Sequence, residues 1–321
     1  MGDNVGQVIR IDILPDDVLL EIFDFYEDIN PLFVRARVEG WQSLVHVCRR
    51  WRILIFESPC RLNLRLFCTP QTPVKDRLDV WPALPLLIAG NMAAASSGRD
   101  NVIAALGQSN RVREVLISSL PGLQSEIVLA PMQVSFPELT DLHLHSDDET
   151  PPVIPDSFLG GSAPRLRVLE LHFIPFTGLP KLLLSATHLV NLHLTNIPHS
   201  GYISPKAMVA ALSALSSLET LYLWFRSPQS RPDWESRSLP APKRFVLPAL
   251  NDFYFKGVTE YLEELVTRIN TPQLGHMVIT FFNQIDFDCP QLAQFIDSTP
   301  TLRVVNEAHL ELEDSAAIVV L

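Results

Sequence analysis

The chain has only four cysteines, Cys48, Cys60, Cys68 and Cys289, and no two of them stand at a short paired spacing. Without a Cys-x-x-Cys pair there is no signal for a zinc knuckle or a redox dithiol. Scattered thiols of this kind suit a reducing compartment in which they are mostly buried and inert. Basic charge is scarce as well: 25 Lys and Arg stand against 36 Asp and Glu, a formal net charge of −11. A surface that binds nucleic acid in general needs a basic excess, so that class of partner is not expected. The N-terminus carries Asp3 and Asp12 in place of a basic start and an apolar block, and the run Ile53 to Phe56 is far too short to span a bilayer. Neither a secretory signal nor contact with a membrane is expected, and the cytoplasm, the nucleus or both are the expected compartments. Nucleophile elbows, phosphate-binding glycine loops and His-Glu-x-x-His motifs are missing too. Gly160-Gly161-Ser162 reads as a turn, and the acid pairs Asp147-Asp148 and Glu263-Glu264 are neighbours on exposed elements. The expectation is a protein that is not an enzyme and that carries no cofactor and no metal.

Apolar residues are plentiful at 47%, with 19% charged, so the chain can bury a substantial core. Its organising stretch runs from Ile11 to Trp51. Pro15 suits the first turn of a helix, where its missing N–H costs nothing, and Asp16 and Asp17 suit the positive end of the helix dipole. Val18, Leu19, Ile22, Phe23 and Tyr26 follow as an apolar stripe, and Trp41, Leu44, Val45, Cys48, Trp51 and Ile55 form a second. Helices this short bury little surface by themselves and need a partner or a large neighbour. Ser58-Pro59 should end the second helix, because a residue before proline avoids the helical region.

The run Leu14-Pro15-Asp16-Asp17-Val18-Leu19-Leu20-Glu21-Ile22-Phe23, closed by Val47-Cys48-Arg49-Arg50-Trp51-Arg52, resembles an F-box over roughly residues 11–57. The segment Tyr26 to Gly40 is longer and more charged than the usual link within that motif. The text Arg61-Leu62-Asn63-Leu64-Arg65-Leu66 and Leu78-Asp79-Val80-Trp81-Pro82-Ala83-Leu84-Pro85 further resembles a group of F-box proteins abundant in mushroom-forming fungi. The resemblance implies docking on the Skp-type linker of a cullin-RING (SCF) ubiquitin ligase, with the rest of the chain selecting the target. It also implies that Leu14, Pro15, Val18, Leu19, Ile22, Val47 and Trp51 include the linker contacts. Some of these seven must hold the helical core, and the sequence does not divide the two sets.

Beyond this module, Leu62, Leu64 and Leu66 alternate with polar or aromatic neighbours as one strand, Cys68 to Pro73 reads as a turn, and Ala83 to Ile88 reads as a second strand. Asn91 to Asp100 reads as a loop, with Asp100 capping a helix through Leu106. An L-x-x-L-x-L period then appears: Val112/Val115/Ile117, Leu139/Leu142/Leu144, Leu166/Leu169/Leu171, Leu189/Leu192/Leu194, Leu218/Leu221/Leu223, Leu250/Phe253/Phe255 and Leu274/Met277/Ile279, with Leu302/Val305 beginning an eighth. First positions are spaced 27, 27, 23, 29, 32, 24 and 28 residues apart, mostly within the leucine-rich-repeat range of about 20–29. The last two apolar positions of each unit share one face of a strand, and only stacking units side by side buries them.

Helical spacing marks the return segments Pro180 to Ala186, Pro205 to Leu215 behind a Ser204 cap, Thr259 to Ile269, and Pro290 to Ile296. Three places after the third leucine, where the common repeat carries Asn or Cys, stand Asp147, Ile174, Ile197 and Arg226. A buried asparagine ladder is therefore not expected. His145 to Asp156 reads as an acidic, proline-rich loop, and Arg226 to Val246 as a basic insertion that is either solvated or a contact arm for an acidic partner. The chain stops on Ile318-Val319-Val320-Leu321, bare apolar residues where a repeat array usually presents a polar cap. The array is therefore expected to be cut short there, or covered, with that end as an exposed edge.

Residues between the apolar strand positions point to the open face. Aligning the repeats puts His143, Glu170, His193, Tyr222 and Tyr254 in one lane, and His145, His172, Thr195, Trp224 and Lys256 in the next. This is the candidate target face; otherwise it is a solvated surface whose aromatics merely suit strands. His143, His145 and His172 beside Glu170 form a corner with three readings: a zinc site, a contact sensitive to pH between about 5.5 and 7, or an inert patch.

The expected fold is α/β: a flexible lead over 1–10, a small helical F-box-like module over 11–60, and a curved leucine-rich-repeat solenoid with a parallel sheet over 61–321, incomplete at its C-terminus. The expected function is the substrate-recognition adaptor of an SCF-type ubiquitin ligase, binding an unidentified protein target. The alternative is a leucine-rich-repeat interaction scaffold that does not dock on the ligase.

Overall fold

The computed structural model describes residues 11–27, 43–59, 65–74, 78, 83–93, 96–122, 125–148, 150–228, 244–282, 289–302, 309–313 and 316–320. The expectations for the lead 1–10, for Trp41, Cys60, Leu62, Leu64, Val305 and Leu321, for the Tyr26 side chain and for most of the basic insertion lie outside the described residues. The chain divides into two compact units, Met1–Phe67 with Trp81–Pro85, and Cys68–Val80 with Leu86–Leu321.

In the first unit a single 3-10 turn, Ile11–Ile13, leads to α1 (Asp16–Glu27). Pro15 stands just before the helix, not inside it, and its carbonyl accepts the first helical bond, from Leu19 N–H at 3.1 Å. Asp16 and Asp17 fill the first turn as the dipole favours. Helix α2 (Arg49–Glu57) begins behind Cys48, whose Sγ accepts from Trp51 N–H at 3.5 Å, and stops at Ser58, one residue before Pro59. Leu19, Leu20, Phe23, Leu44, Val45, Trp51 and Ile55 are the buried core, and the Phe23 and Trp51 rings meet edge to face with centroids 4.8 Å apart.

The second unit carries a sheet whose 11 strands run in the order β1-β2-β3-β4-β5-β6-β7-β9-β11-β13-β12. They are β1 (Leu66–Cys68), where the division between the units falls, β2 (Leu86–Asn91), β3 (Val112–Ser118), β4 (Asp141–His145), β5 (Val168–His172), β6 (Asn191–Ile197), β7 (Thr220–Phe225), β9 (Asp252–Gly257), β11 (His276–Phe282), β12 (His309–Glu313) and β13 (Ala316–Val320). Two further strands, β8 (Phe245–Val246) and β10 (Ile269–Asn270), pair with each other in parallel. From β1 to β11 the main sheet is a nine-strand parallel run that takes its strands in chain order and does not close into a barrel. Helices α3 (Ser96–Leu106), α4 (Ser125–Leu129), α5 (Leu179–Leu183), α6 (Pro205–Leu212), α7 (Thr259–Val266) and α8 (Pro290–Ser298) lie in the connections. Among the described residues no helix is long and apolar enough to cross a membrane.

The seven complete L-x-x-L-x-L triplets occupy equivalent positions, and each of their residues is at most 3% exposed. Cα register carries the second position from Leu142 to Leu169, Leu192, Leu221, Phe253 and Met277 in neighbouring strands. The first position sits in a turn: the N–H groups of Leu139, Leu166, Leu189, Leu218, Leu250 and Leu274 bond to the carbonyls of Phe136, Ala163, Ala186, Leu215, Leu247 and Thr271. Those six carbonyl residues are themselves buried, a fourth inward position per unit that the sequence pattern does not reveal. Two successive N–H groups then share one carbonyl of the preceding unit, as Arg167 and Val168 do on Thr140 O at 2.7 and 3.0 Å. This satisfies the backbone where each strand begins.

Several boundaries differ from expectation. Strand β2 runs from Leu86 to Asn91, later than Ala83 to Ile88. The segment expected as loop already turns helical at Ser96, so Asp100 lies inside α3 and is not its cap. Where the asparagine ladder is missing, Ile174 and Ile197 fill the place as buried apolar side chains, while Asp147 and Arg226 are exposed. The β8–β10 pair, two residues per strand, is too short to show a period in sequence. The C-terminal edge is the largest difference. Ile318, Val319 and Val320 pair antiparallel with Thr280, Ile279 and Val278 of β11 on one side and with Glu311, Leu310 and His309 of β12 on the other. The apolar segment is thus an inner strand of the sheet, and β12 is the outer one.

Candidate partner-binding surfaces

The first unit divides its seven sequence-predicted contact residues. Leu19 at 0% exposure and Trp51 at 9% belong to the core. Pro15, Val18, Ile22 and Val47 are exposed, and Leu14 is half-buried. The apolar stripe of α1 is wider than the face covered by its neighbours, so Val18 and Ile22 turn away from Leu19 and Phe23. Ile11, Ile13, Ile53 and Phe56 are exposed as well. Seven of the fourteen exposed large apolar residues among the described residues therefore fall between Ile11 and Phe56. Arg50 ties the two ends of the unit together: its Nη2 donates to Leu14 O at 2.6 Å and to Asp16 Oδ1 at 2.5 Å, and its Nε donates to the same oxygen at 3.1 Å. Beside this bridge lies a shallow groove of about 330 Å³ lined by Asp16, Arg49, Arg50, Ile53, Leu54 and Glu57.

In the second unit the strands' alternation leaves one face apolar and buried and the other half-exposed. The first predicted lane is present residue for residue: His143, Glu170, His193, Tyr222 and Tyr254 are successive Cα partners from β4 to β9. The second is broken. His145, His172 and Thr195 are in register, and so are Trp224 and Lys256, but β6 carries an extra residue between Leu194 and Ile197. Asn196 takes a left-handed φ of 58° there, which accommodates the bulge and moves Thr195 out of line with Trp224.

The Glu170 carboxylate joins two imidazoles. Its Oε2 is 2.8 Å from His143 Nδ1 and its Oε1 is 2.9 Å from His193 Nδ1. Both hydrogen bonds, reinforced by the charges they stabilise, hold the Glu170 carboxyl well below the usual carboxylate range despite partial burial. Burial pushes His143 down, but the hydrogen bond and charge of Glu170, helped by Asp141 and Glu114, outweigh it and leave His143 raised. Among the described residues His193 Nε2 is buried without a hydrogen-bond partner. His145 lies 3.1 Å from Asp147 Oδ1 and packs edge-on against His172, ring centroids 4.3 Å apart. His172 Nδ1 shares a 2.9 Å hydrogen bond with Thr195 Oγ1, and burial and then the neighbouring His145 lower its pKa, against the opposing charge of Asp147. Among the described residues no group of three or more His, Cys, Asp or Glu is placed to hold a metal ion. The Glu170 oxygens sit at hydrogen-bond distance from the ring nitrogens, each already engaged.

Beyond His193 the lane becomes aromatic. Tyr222 stacks on Tyr254 with centroids 4.0 Å apart and planes 8° apart, flanked by His193 on one side and His276 on the other. His276 Nδ1 in turn stands 3.6 Å from Asp252 Oδ1, so the row ends at a carboxylate on each side. Trp224, 37% exposed, packs edge-on against Tyr222. Sequence reasoning missed the His193–Glu170 bond, the Asp147 partner of His145 and the His276–Asp252 end. Lane neighbours one strand apart carry the first and last of these.

No family model matches the chain, and no curated protein matches it.

Proposed function

We propose that the chain is a non-catalytic substrate receptor. Residues 11–60 act as an F-box that docks on the Skp-type linker of a cullin-RING ubiquitin ligase, and the leucine-rich-repeat solenoid that follows binds the protein to be modified. The observation that carries this reading is the concentration of exposed large apolar residues between Ile11 and Phe56. A small helical unit that keeps Leu19, Phe23, Trp51 and Ile55 for its core and still leaves Val18, Ile22 and Val47 in solvent is suited to burying them against a partner. These exposed residues lie within the stretch that resembles an F-box. The triplet spacing, the chain-order parallel strands and the half-exposed face with histidines and aromatics support the receptor half of the reading.

A pull-down with the purified Skp-type linker tests it. Wild type is expected to bind, and Val18→Glu with Ile22→Glu is expected to lose binding while the chain stays folded by circular dichroism. Failure of the wild type to bind would leave an interaction scaffold without a ligase.

A further inference from the structure

We propose that the open sheet face around the Tyr222–Tyr254 pair takes an arginine- or lysine-bearing extended segment of a partner protein, with one cationic head seated at the two phenol oxygens between Glu170 and Asp252. The proposal rests on the reading of this face as the target-binding one and is independent of docking by the first unit. The two tyrosines are stacked, so each covers one ring face of the other, and both stand half-buried on the open side of the sheet. Tyr222 is pushed up to about 12 by burial, by its hydrogen bond with Tyr254, and by the negative charges of Asp252 and Glu170. The Tyr222 phenol is therefore a neutral acceptor in a negative field, which favours a donor cation.

The surroundings favour the same occupant. The two cations near the pair, Lys256 on the face itself as the Cα partner of Trp224 and Arg226 just past β7, are drawn to phenylalanine rings: Arg226 Cζ lies 4.4 Å from the Phe173 centroid and Lys256 Nζ lies 5.7 Å from that of Phe282. Among the described residues no cation lies over Tyr222, Trp224 or Tyr254. Trp224, exposed beside the pair, offers an indole against which a guanidinium or a lysine stem can lie. The whole chain is at −11, so approach of a basic segment is electrostatically favoured and approach of nucleic acid is not.

The test titrates the full chain with a short fluorescent peptide of alternating arginine and serine, beside glutamine–serine and glutamate–serine peptides of equal length. The arginine peptide alone is expected to bind, more weakly as salt is added. Tyr222→Phe with Tyr254→Phe keeps the rings and removes the acceptors, and should weaken binding about tenfold. Asp252→Asn should weaken it in the same direction, and Asp297→Asn, on α8 away from the face, should not. Equal binding of the glutamine peptide overturns the proposal. So does tighter binding of the glutamate peptide or of a single-stranded RNA, indifference to the double phenylalanine variant, or an equal loss with Asp297→Asn. Capture of the Skp-type linker by the same variants is read in parallel, so loss of peptide binding with docking intact is told apart from failure of the receptor reading as a whole.

Discussion

Glu170 and His143 meet across β5 and β4 with Oε2 and Nδ1 2.8 Å apart. The carboxyl is depressed in the folded chain, so its contribution is present above its ordinary value of 4.5 and lost as pH falls through the folded value. The imidazole is raised, so its contribution is full below its ordinary value of 6.5 and lost as pH rises through the folded value. The two act together between 4.5 and 6.5. Glu170→Gln should therefore cost about 0.5–1 kcal/mol near pH 6, a figure already reduced for partial exposure, and clearly less near pH 8.5. Urea denaturation at the two pH values decides: a loss that is larger at the higher pH would contradict the pairing.

His172 works in the opposite direction. Burial and the charge of His145 lower its folded value, so it costs stability as pH falls below 6.5. In an NMR titration His172 should titrate below His143. His145→Gln should move His172 upward and Glu170→Gln should move His143 downward. A reversed order of the two histidines would refute the register-based account of this corner.

Much of this face was legible in the sequence because strand periodicity needs only the spacing of leucines. Once Leu142 and Leu144 are aligned with Leu169 and Leu171, His143 must stand beside Glu170. The same rule broke after Leu194, where the Asn196 bulge adds a residue that no hydrophobic pattern announces. It also failed for β8 and β10, whose partners are fixed by tertiary placement and not by any local period. In the first unit the stripe over Val18, Leu19, Ile22 and Phe23 was visible. Which half of it would be buried was not, since that depends on where Trp51 and Ile55 pack.

That division gives a prediction of its own. Leu19→Ala removes a fully buried side chain and should cost about 2–5 kcal/mol, enough to unfold the first unit. Val18→Ala and Ile22→Ala, both more than 40% exposed, should each change stability by only about 0.5 kcal/mol. Thermal melts of the three variants separate the outcomes, and equal destabilisation by all three would show the burial assignment to be wrong.

Glu263 of α7 links successive return helices. Its Oε2 accepts from Gln291 N–H at 3.0 Å and its Oε1 from Leu292 N–H at 2.7 Å, in the first turn of α8. These are donors that a helix cannot satisfy from within, and the carboxylate also meets the positive end of the dipole. Glu263→Ala should destabilise by about 1–2 kcal/mol, and Glu263→Gln, which keeps one acceptor, by less. Hydrogen exchange should show the loss first at the amides of Gln291 and Leu292; unchanged protection there would refute the capping role.

The C-terminal strands protect an edge. Strand β11 alternates half-exposed and buried residues over its whole length, His276–Phe282, with β9 on one side. On the other side β13 pairs with it from Val278 to Phe282 and is followed by β12. Deleting residues 309–321 would present β11 as a long, weakly charged edge whose backbone donors and acceptors seek another strand. The shortened chain is expected to self-associate in a concentration-dependent way. Val278→Lys, on the open face of that edge, should reduce the effect, because a charged side chain blunts strand addition. Sedimentation velocity over a range of concentrations reads this directly. A deleted chain that stays monomeric throughout would mean that β13 contributes pairing to β11 without guarding it.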